Sequence, residues 1–265
     1  MKPIFKLFIF INLFVILSCS EDKVSYRNDL KSVIDSTGYD GCFVMLDIKS
    51  GKKTYVNQPR CMMQYSPAST FKIPNSLIAL QCRAVSSVHD TIKYNGIPKS
   101  IDAWNQDHDL ISAFKYSVVW YYQDIANRIG QKNMKFWLDT LKDYGTMFRA
   151  GEIDKFWLDG SLVISADQQV NFLEKLYKSK LPFYKENMDT VKQMMLYETN
   201  PKYKIFAKTG TSDVGNIGWL VGWVEKSDNS FIFATNISTK DTLDNNFLST
   251  RVLLTKKLLN ILRVI

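Results

Sequence analysis

Apolar residues run almost unbroken through "GCFVMLDI" (residues 41–48), give way to "KSGKK", and return in "TYV". That pattern predicts an antiparallel β-hairpin. From Thr70 to about Arg83 the apolar spacing becomes helical. Helical candidates then dominate residues 85–200: "LISAFKYSVVWYYQDIANRI", "KNMKFWLDTLKDY", "ADQQVNFLEKLYKSKL" and "KENMDTVKQMMLYE". Near residue 203 the period changes. "YKIFAKTG", "GWLVGWVE" and "SFIFATNI" read as three strands with turn residues between them, and "STRVLLTKKLLNILRV" as a final helix. Strands towards both ends, with helices between, imply one sheet assembled from both. The expected fold is α+β in three layers: a central antiparallel sheet, helices over its faces, and an inserted, mostly helical lobe at about 85–200.

The N-terminus departs from this pattern. Lys2 and Lys6 precede the apolar "LFIFINLFVILS", which meets Cys19. The run is short for a membrane span of about 20 residues. A positive start, an apolar middle and the small Ser18 fit a secretory signal. "ILSC" resembles the bacterial lipobox, so the expectation is an exported, periplasmic protein anchored to the membrane by a lipid on Cys19. Plain signal cleavage and an uncleaved anchor are the competing readings. The polar "SEDKVSYRND" follows, as a tether would. The expected division is a signal segment over 1–19, a tether and helix over 20–36, and a catalytic domain over 37–265.

Composition changes this picture little. A hydrophobic content of 46% excludes a disordered chain. The formal charge of +8 is spread without a basic block, which reads as a solvated surface and not as a nucleic-acid site. Cys42, Cys61 and Cys82 have no metal-ligand spacing and are odd in number. Burial as small apolar side chains explains at least one of them. An exported protein permits disulfides, so a Cys42–Cys61 bridge stays open.

The candidate chemistry starts in "SPASTFKIPNS" (66–76), where Ser69 and Lys72 stand three apart. On a helix that spacing puts hydroxyl and amine on one face. A serine hydroxyl needs a base to attack, and an ordinary lysine, with a pKa of about 10.4, is protonated at neutral pH. The spacing is weak alone: Ser20–Lys23, Ser50–Lys53 and Ser112–Lys115 repeat it. Ser20 lies in the tether, Ser50 in a hairpin turn, and Ser112 within an amphipathic helix. Ser69 differs because it opens a helix, where backbone N–H groups and the dipole face a developing anion. A second motif, Lys208-Thr209-Gly210, ends a strand and offers a cation, a hydroxyl and a close backbone approach. S-x-x-K with K-T-G occurs in β-lactamases and penicillin-binding proteins. The literal "SDN" at 227–229 follows K-T-G inside a strand turn and is set aside as turn formers. Between the two motifs stands "SVV", Ser117 to Val119.

Taken together, "PASTFKIPN", "SVV", "YGT", "FWLDGSLVIS", "KTG" and "GWLVGWVE" resemble the class D (OXA-type) serine β-lactamases, in matching order across roughly residues 40–255. The resemblance implies the β-lactamase/penicillin-binding-protein fold and hydrolysis of β-lactams through an acyl-enzyme on Ser69. It implies no cofactor and no metal, only a CO2-derived carbamate on Lys72 that serves as the general base. It implies Val119 and Trp157 as walls of the lysine pocket, with the indole N–H able to donate to the carbamate. It further implies Ser117 and Lys208 as a proton relay to the leaving nitrogen, the Ser69 and Thr211 N–H groups as an oxyanion hole, and Thr209, Gly210, Thr211 and Arg251 as substrate contacts. Core packing is the competing reading for Val119 and Trp157, an ordinary helical polar residue for Ser117, and a surface arginine for Arg251. Tyr144-Gly145-Thr146 departs from the family's usual Tyr-Gly-Asn, which bears on substrate range. A β-lactam sensor domain and a D,D-peptidase share these motifs. The sensor normally carries further membrane helices, and the peptidase more often carries S-x-N, absent between residues 73 and 207. His89 and His108 match no catalytic position, and "DHD" reads as a polar loop.

Overall fold

The computed structural model describes residues 23–142, 144–145, 152–241 and 245–265. Cys19 with the expected signal segment, and Thr146, lie outside the described residues. In chain order the elements are β1 (Val24–Tyr26), α1 (Lys31–Asp35), β2 (Asp40–Asp47), β3 (Lys53–Val56), α2 (Gln58–Met62), β4 (Gln64–Tyr65) and α3 (Lys72–Gln81). Then come α4 (Leu110–Lys115), α5 (Val119–Thr140), β5 (Ile164–Ser165), α6 (Ala166–Tyr177) and α7 (Lys185–Met194). The chain closes with β6 (Leu196–Thr199), β7 (Lys204–Ser212), β8 (Ile217–Glu225), β9 (Ser230–Ser238) and α8 (Asn245–Ile261).

Seven strands form one sheet in the order β1-β3-β2-β9-β8-β7-β6, and β4 pairs with β5 in a small ribbon. The sheet is sewn from both ends of the chain, as the strand pattern predicts: β2 lies antiparallel to β9, with Asp40 opposite Ser238. Its alternating side chains feed two cores. Cys42, Val44 and Leu46 join Trp219, Val221 and Ile232 beneath the helical lobe. Phe43 and Met45 join Leu220, Phe233, Leu254 and Leu258 beneath α1 and α8. The central strands are therefore apolar on both faces, which explains their unbroken runs. This is the three-layer α+β fold, with one amendment. β1 pairs with β3 in parallel, so the sheet is mostly antiparallel, and Val24–Tyr26 from the expected tether forms its edge.

Two helical expectations change. The run 110–129 is two helices, α4 and α5, because Ser117 takes a left-handed φ of 57° between them. The break between the candidates ending at Ile129 and starting at Lys132 is kept as a kink within α5 at Gly130, whose φ of 75° and ψ of 155° suit glycine. The tail "LYE" of the fourth candidate is strand β6. Pro74 is accommodated because it falls in the first turn of α3, where a missing N–H costs little. Cys42 and Cys61 are buried free thiols. Cys61 donates to Phe43 O at 3.4 Å.

Candidate active site

Ser69 sits in a 3-10 turn, Ala68–Phe71, which runs directly into α3. Several independent ties fix that turn. Ala68, at φ 48°, donates its N–H to Trp157 O at 3.1 Å. Ser66 Oγ donates to the same carbonyl at 2.9 Å. Thr70 Oγ1 donates to Pro67 O at 2.7 Å and accepts from Gln169 Nε2 at 2.8 Å. β7 presses on the turn at Gly210, where an added Cβ would meet Pro67 O and Thr70 Cγ2 at 3.0 Å each. Glycine is required there by close approach and not by backbone angle.

Lys72 Nζ donates to Ser69 Oγ at 2.9 Å and is 0% exposed. Burial, and then the nearby Lys208, hold its pKa well below the ordinary lysine value. The Tyr122 ring, 5.1 Å from Nζ, favours the cation and does not overcome burial. Tyr122 OH also bonds Ser76 Oγ at 2.8 Å, and Ser76 donates to Lys72 O at 2.7 Å. Trp157 is fully buried, with its ring stacked 5.4 Å from Phe71, and its indole Nε1 has no hydrogen-bond partner among the described residues.

The other wall of the cleft comes from the α4–α5 junction and β7. The left-handed kink turns Ser117 toward Lys208, whose Nζ donates to Ser117 Oγ and to Thr209 O at 3.2 Å. Burial, and then Arg251, lower Lys208 to about 7. Ala207 N–H donates to Met195 O at 2.7 Å. Main-chain groups alternate sides along a strand, so those of Thr209 and Thr211 face the same edge of β7. Arg251 lies in the second turn of α8, not at its start, and donates to Gly210 O at 2.7 Å and to Thr211 Oγ1. Burial lowers the Arg251 pKa to about 10. A cavity of about 360 Å³ joins Ser69, Ser117, Val119, Thr209, Thr211 and Arg251. Among the described residues, no His, Cys, Asp and Glu cluster could hold a metal.

Residues 41–259 match the penicillin binding protein transpeptidase domain. The chain is 46% identical over 205 residues to β-lactamase OXA-48 of Klebsiella pneumoniae, covering 77% of this chain and 76% of that one. It is 42% identical over 209 residues to the probable β-lactamase YbxI of Bacillus subtilis strain 168, covering 78% of each. The crystal structure of FUS-1 (OXA-85), a class D β-lactamase from Fusobacterium nucleatum subsp. polymorphum, superposes with a TM-score of 0.86 at 37% identity, covering 91% of this chain and 100% of that one. This chain belongs to the class D β-lactamases.

In this class D β-lactamase, Ser69, Ser117, Val119, Thr209, Gly210, Thr211 and Arg251 share one cavity, with the buried Lys72 and Lys208 bonded to its two serines. Trp157 backs the Ser69 turn through its carbonyl and through Phe71. The competing Ser112 is consumed locally, in a capping box with Asp109. "SDN" is the β8–β9 turn, where Asn229 Nδ2 donates to Asp47 Oδ1 at 2.8 Å. His108 is no polar-loop residue. It is 1% exposed, and its ring nitrogens contact Ala103 O at 2.8 Å and Ser112 Oγ at 3.1 Å. It thereby anchors the turn bearing Trp104, which lines the cleft. Gln169 is the other residue that sequence reasoning missed. The only signal for it is an amide among apolar positions of an amphipathic helix.

Proposed function

We propose that this class D β-lactamase hydrolyses β-lactams through an acyl-enzyme on Ser69, with carboxylated Lys72 as general base. The observation that carries the reading is Lys72: an amine removed from water, held towards its neutral form, and 2.9 Å from the serine it must activate. A neutral amine can bond CO2 through nitrogen and release a proton, whereas an ammonium cannot. Trp157 Nε1, without a partner among the described residues, supplies a buried donor suited to the resulting anion. A carbamate on Nζ supplies an anionic oxygen able to accept a proton.

Ser69 Oγ gives its proton to the modified Lys72 and attacks the lactam carbonyl carbon. The Ser69 and Thr211 N–H groups receive the developing oxyanion. The C–N bond breaks, and Ser117, bonded to Lys208, delivers a proton to the nitrogen. Arg251 and Thr209 hold the substrate carboxylate. The proton taken from Ser69 passes on to replace the one Ser117 gave up, which restores the base at Lys72. That base then takes a proton from water, the hydroxide attacks the acyl carbon, and the proton returns to Ser69 Oγ as its bond to the product breaks. Ser69→Ala is expected to abolish both nitrocefin turnover and the penicilloyl adduct in intact-mass spectra. An adduct on the mutant overturns the nucleophile assignment, and a stoichiometric burst without turnover in the wild type supports a sensor instead. For the N-terminal segment the proposal is export with a lipid on Cys19. Cys19→Ala or globomycin should alter processing and membrane partition, and no change in either removes the lipid.

A further inference from the structure

A second cavity, of about 400 Å³, opens beside the first and shares Thr209 with it. It is built by four elements, of which β7 supplies Ala207, Lys208 and Thr209. α4 contributes Ile111, Phe114 and Lys115, the end of α7 contributes Met194, and β6 contributes Leu196 and Tyr197. Ile111, Leu196 and Tyr197 are 39%, 51% and 45% exposed, so three large apolar side chains from two elements converge on one groove. Phe114 forms part of the lining, and its ring lies 5.5 Å from Lys208 Nζ.

The sheet explains why the groove is there. β6 occupies the outer edge of β7 only as far as Phe206, opposite Leu196, with one further bond from Ala207 N–H to Met195 O. Beyond that point, Thr209 and Thr211 present their main chain to the cleft. The edge of β7 is thus divided between β6 and substrate, and the groove is the notch where one ends and the other begins. With its oxyanion at Thr211 and its carboxylate at Thr209 and Arg251, a β-lactam on Ser69 would lie along this edge, and a substituent beyond the carboxylate would extend past Thr209 towards Ala207. That direction enters the notch.

We propose that this groove receives the substituent next to the carboxylate on a β-lactam's fused ring, the C3 position of a cephalosporin, and selects for a flat apolar group there. The inference rests on the reading of Ser69 and Arg251 given above. Lys115, whose ammonium lies 5.3 Å over the Tyr116 ring at the rim, adds a bias against a cationic end on that group.

The test uses thienylacetyl cephalosporins that differ only at C3: a methyl, the dinitrostyryl group of nitrocefin, and a pyridiniomethyl. For Ile111→Ser/Leu196→Ser, kcat/KM on nitrocefin should fall about tenfold, the scale of a lost apolar subsite, with the methyl compound changed less than about twofold. Lys115→Glu should raise kcat/KM for the pyridinium compound about threefold, the scale of an exposed charge contact. Equal losses on the methyl and dinitrostyryl compounds, or no loss on either, overturn the subsite. An unchanged pyridinium rate in Lys115→Glu overturns the bias at the rim. Failure of the wild type to turn over any of the three compounds defeats the Ser69 reading itself.

Discussion

Arg60 on α2 and Lys72 on α3 are both buried basic side chains, and their surroundings are opposite. Arg60 donates to Asp40 Oδ2 at 2.6 Å, Asn236 Oδ1 at 2.8 Å and Ser238 Oγ at 2.9 Å, and lies 4.8 Å over the Tyr65 ring. Its charge is matched on several sides, and it links α2 to the two central strands. Lys72 has a serine hydroxyl, an aromatic face and a second lysine around its amine, and among the described residues no carboxylate pairs with it. A matched buried charge serves the fold. An unmatched amine is driven neutral and becomes reactive, at a cost in stability that the fold bears elsewhere.

Lys72→Met should lower β-lactam turnover by at least about a thousandfold, the scale of a lost general base. Its thermal midpoint should stay equal to the wild type's or rise, because a desolvated amine is replaced by an apolar chain. A lowered midpoint would show that Lys72 holds the fold as Arg60 does. Trp157→Phe keeps an aromatic ring while removing the donor and part of the buried ring volume. A buried hydrogen bond to a charged group is worth about 1.5–3 kcal/mol, so carbamate occupancy should fall by roughly one to two orders of magnitude. Added bicarbonate should restore part of the rate. Carbon-13 bicarbonate should give the wild type an NMR carbamate signal that Lys72→Met lacks. Bicarbonate-independent turnover with no such signal would return Lys72 to the role of a free amine.

Arg60→Met tests the other side. It should cost about 3 kcal/mol in urea unfolding, since Asn236 is left buried without its donor. kcat/KM per folded molecule should not change, and a selective loss of activity would place Arg60 in the site. The smallest effect is a pH dependence at Lys208. Burial, then Arg251, hold its native pKa near 7, below the ordinary 10.5 of the unfolded chain. Between those values the unfolded chain carries a proton that the native protein lacks, so stability rises with pH. The penalty is full below about 7 and fades as pH approaches 10.5. From pH 7 to 9 the gain from this group is about 2 kcal/mol. Lys208→Met should flatten that slope, and a slope equal to the wild type's counts against a depressed Lys208.

Much of this was legible in the chain because strand periodicity and motif order are local signals. β7, β8 and β9 match "YKIFAKTG", "GWLVGWVE" and "SFIFATNI" to within two residues at each end. The Ser69–Lys72 pair could be told from its three imitators once K-T-G was seen. What escaped notice depended on conformation or partners. The apolar period continues across Ser117, so nothing local announces its left-handed turn, yet that turn aims the hydroxyl at Lys208. β6 takes its strand form from pairing with β7, against a helical pattern that runs through Met194. His108 looks polar in sequence and is buried because Ala103 and Ser112 meet its ring nitrogens and the Tyr116 and Trp120 rings lie beside it.

The pairing of β2 with β9 has a consequence for the order of events during synthesis. Asp40 cannot meet Ser238 until nearly the whole chain has been made, and β3 and β1 extend the sheet outward from β2. The early strands therefore wait as an unfinished half-sheet while the helical lobe emerges behind them. Contacts so distant in sequence close slowly. Arg251 arrives later still, on the last helix. A ribosome stalled after α7 would hold Ser69, Lys72 and Ser117 but neither Lys208 nor Arg251. Competence for β-lactam binding should appear abruptly and late, as a property of the finished chain.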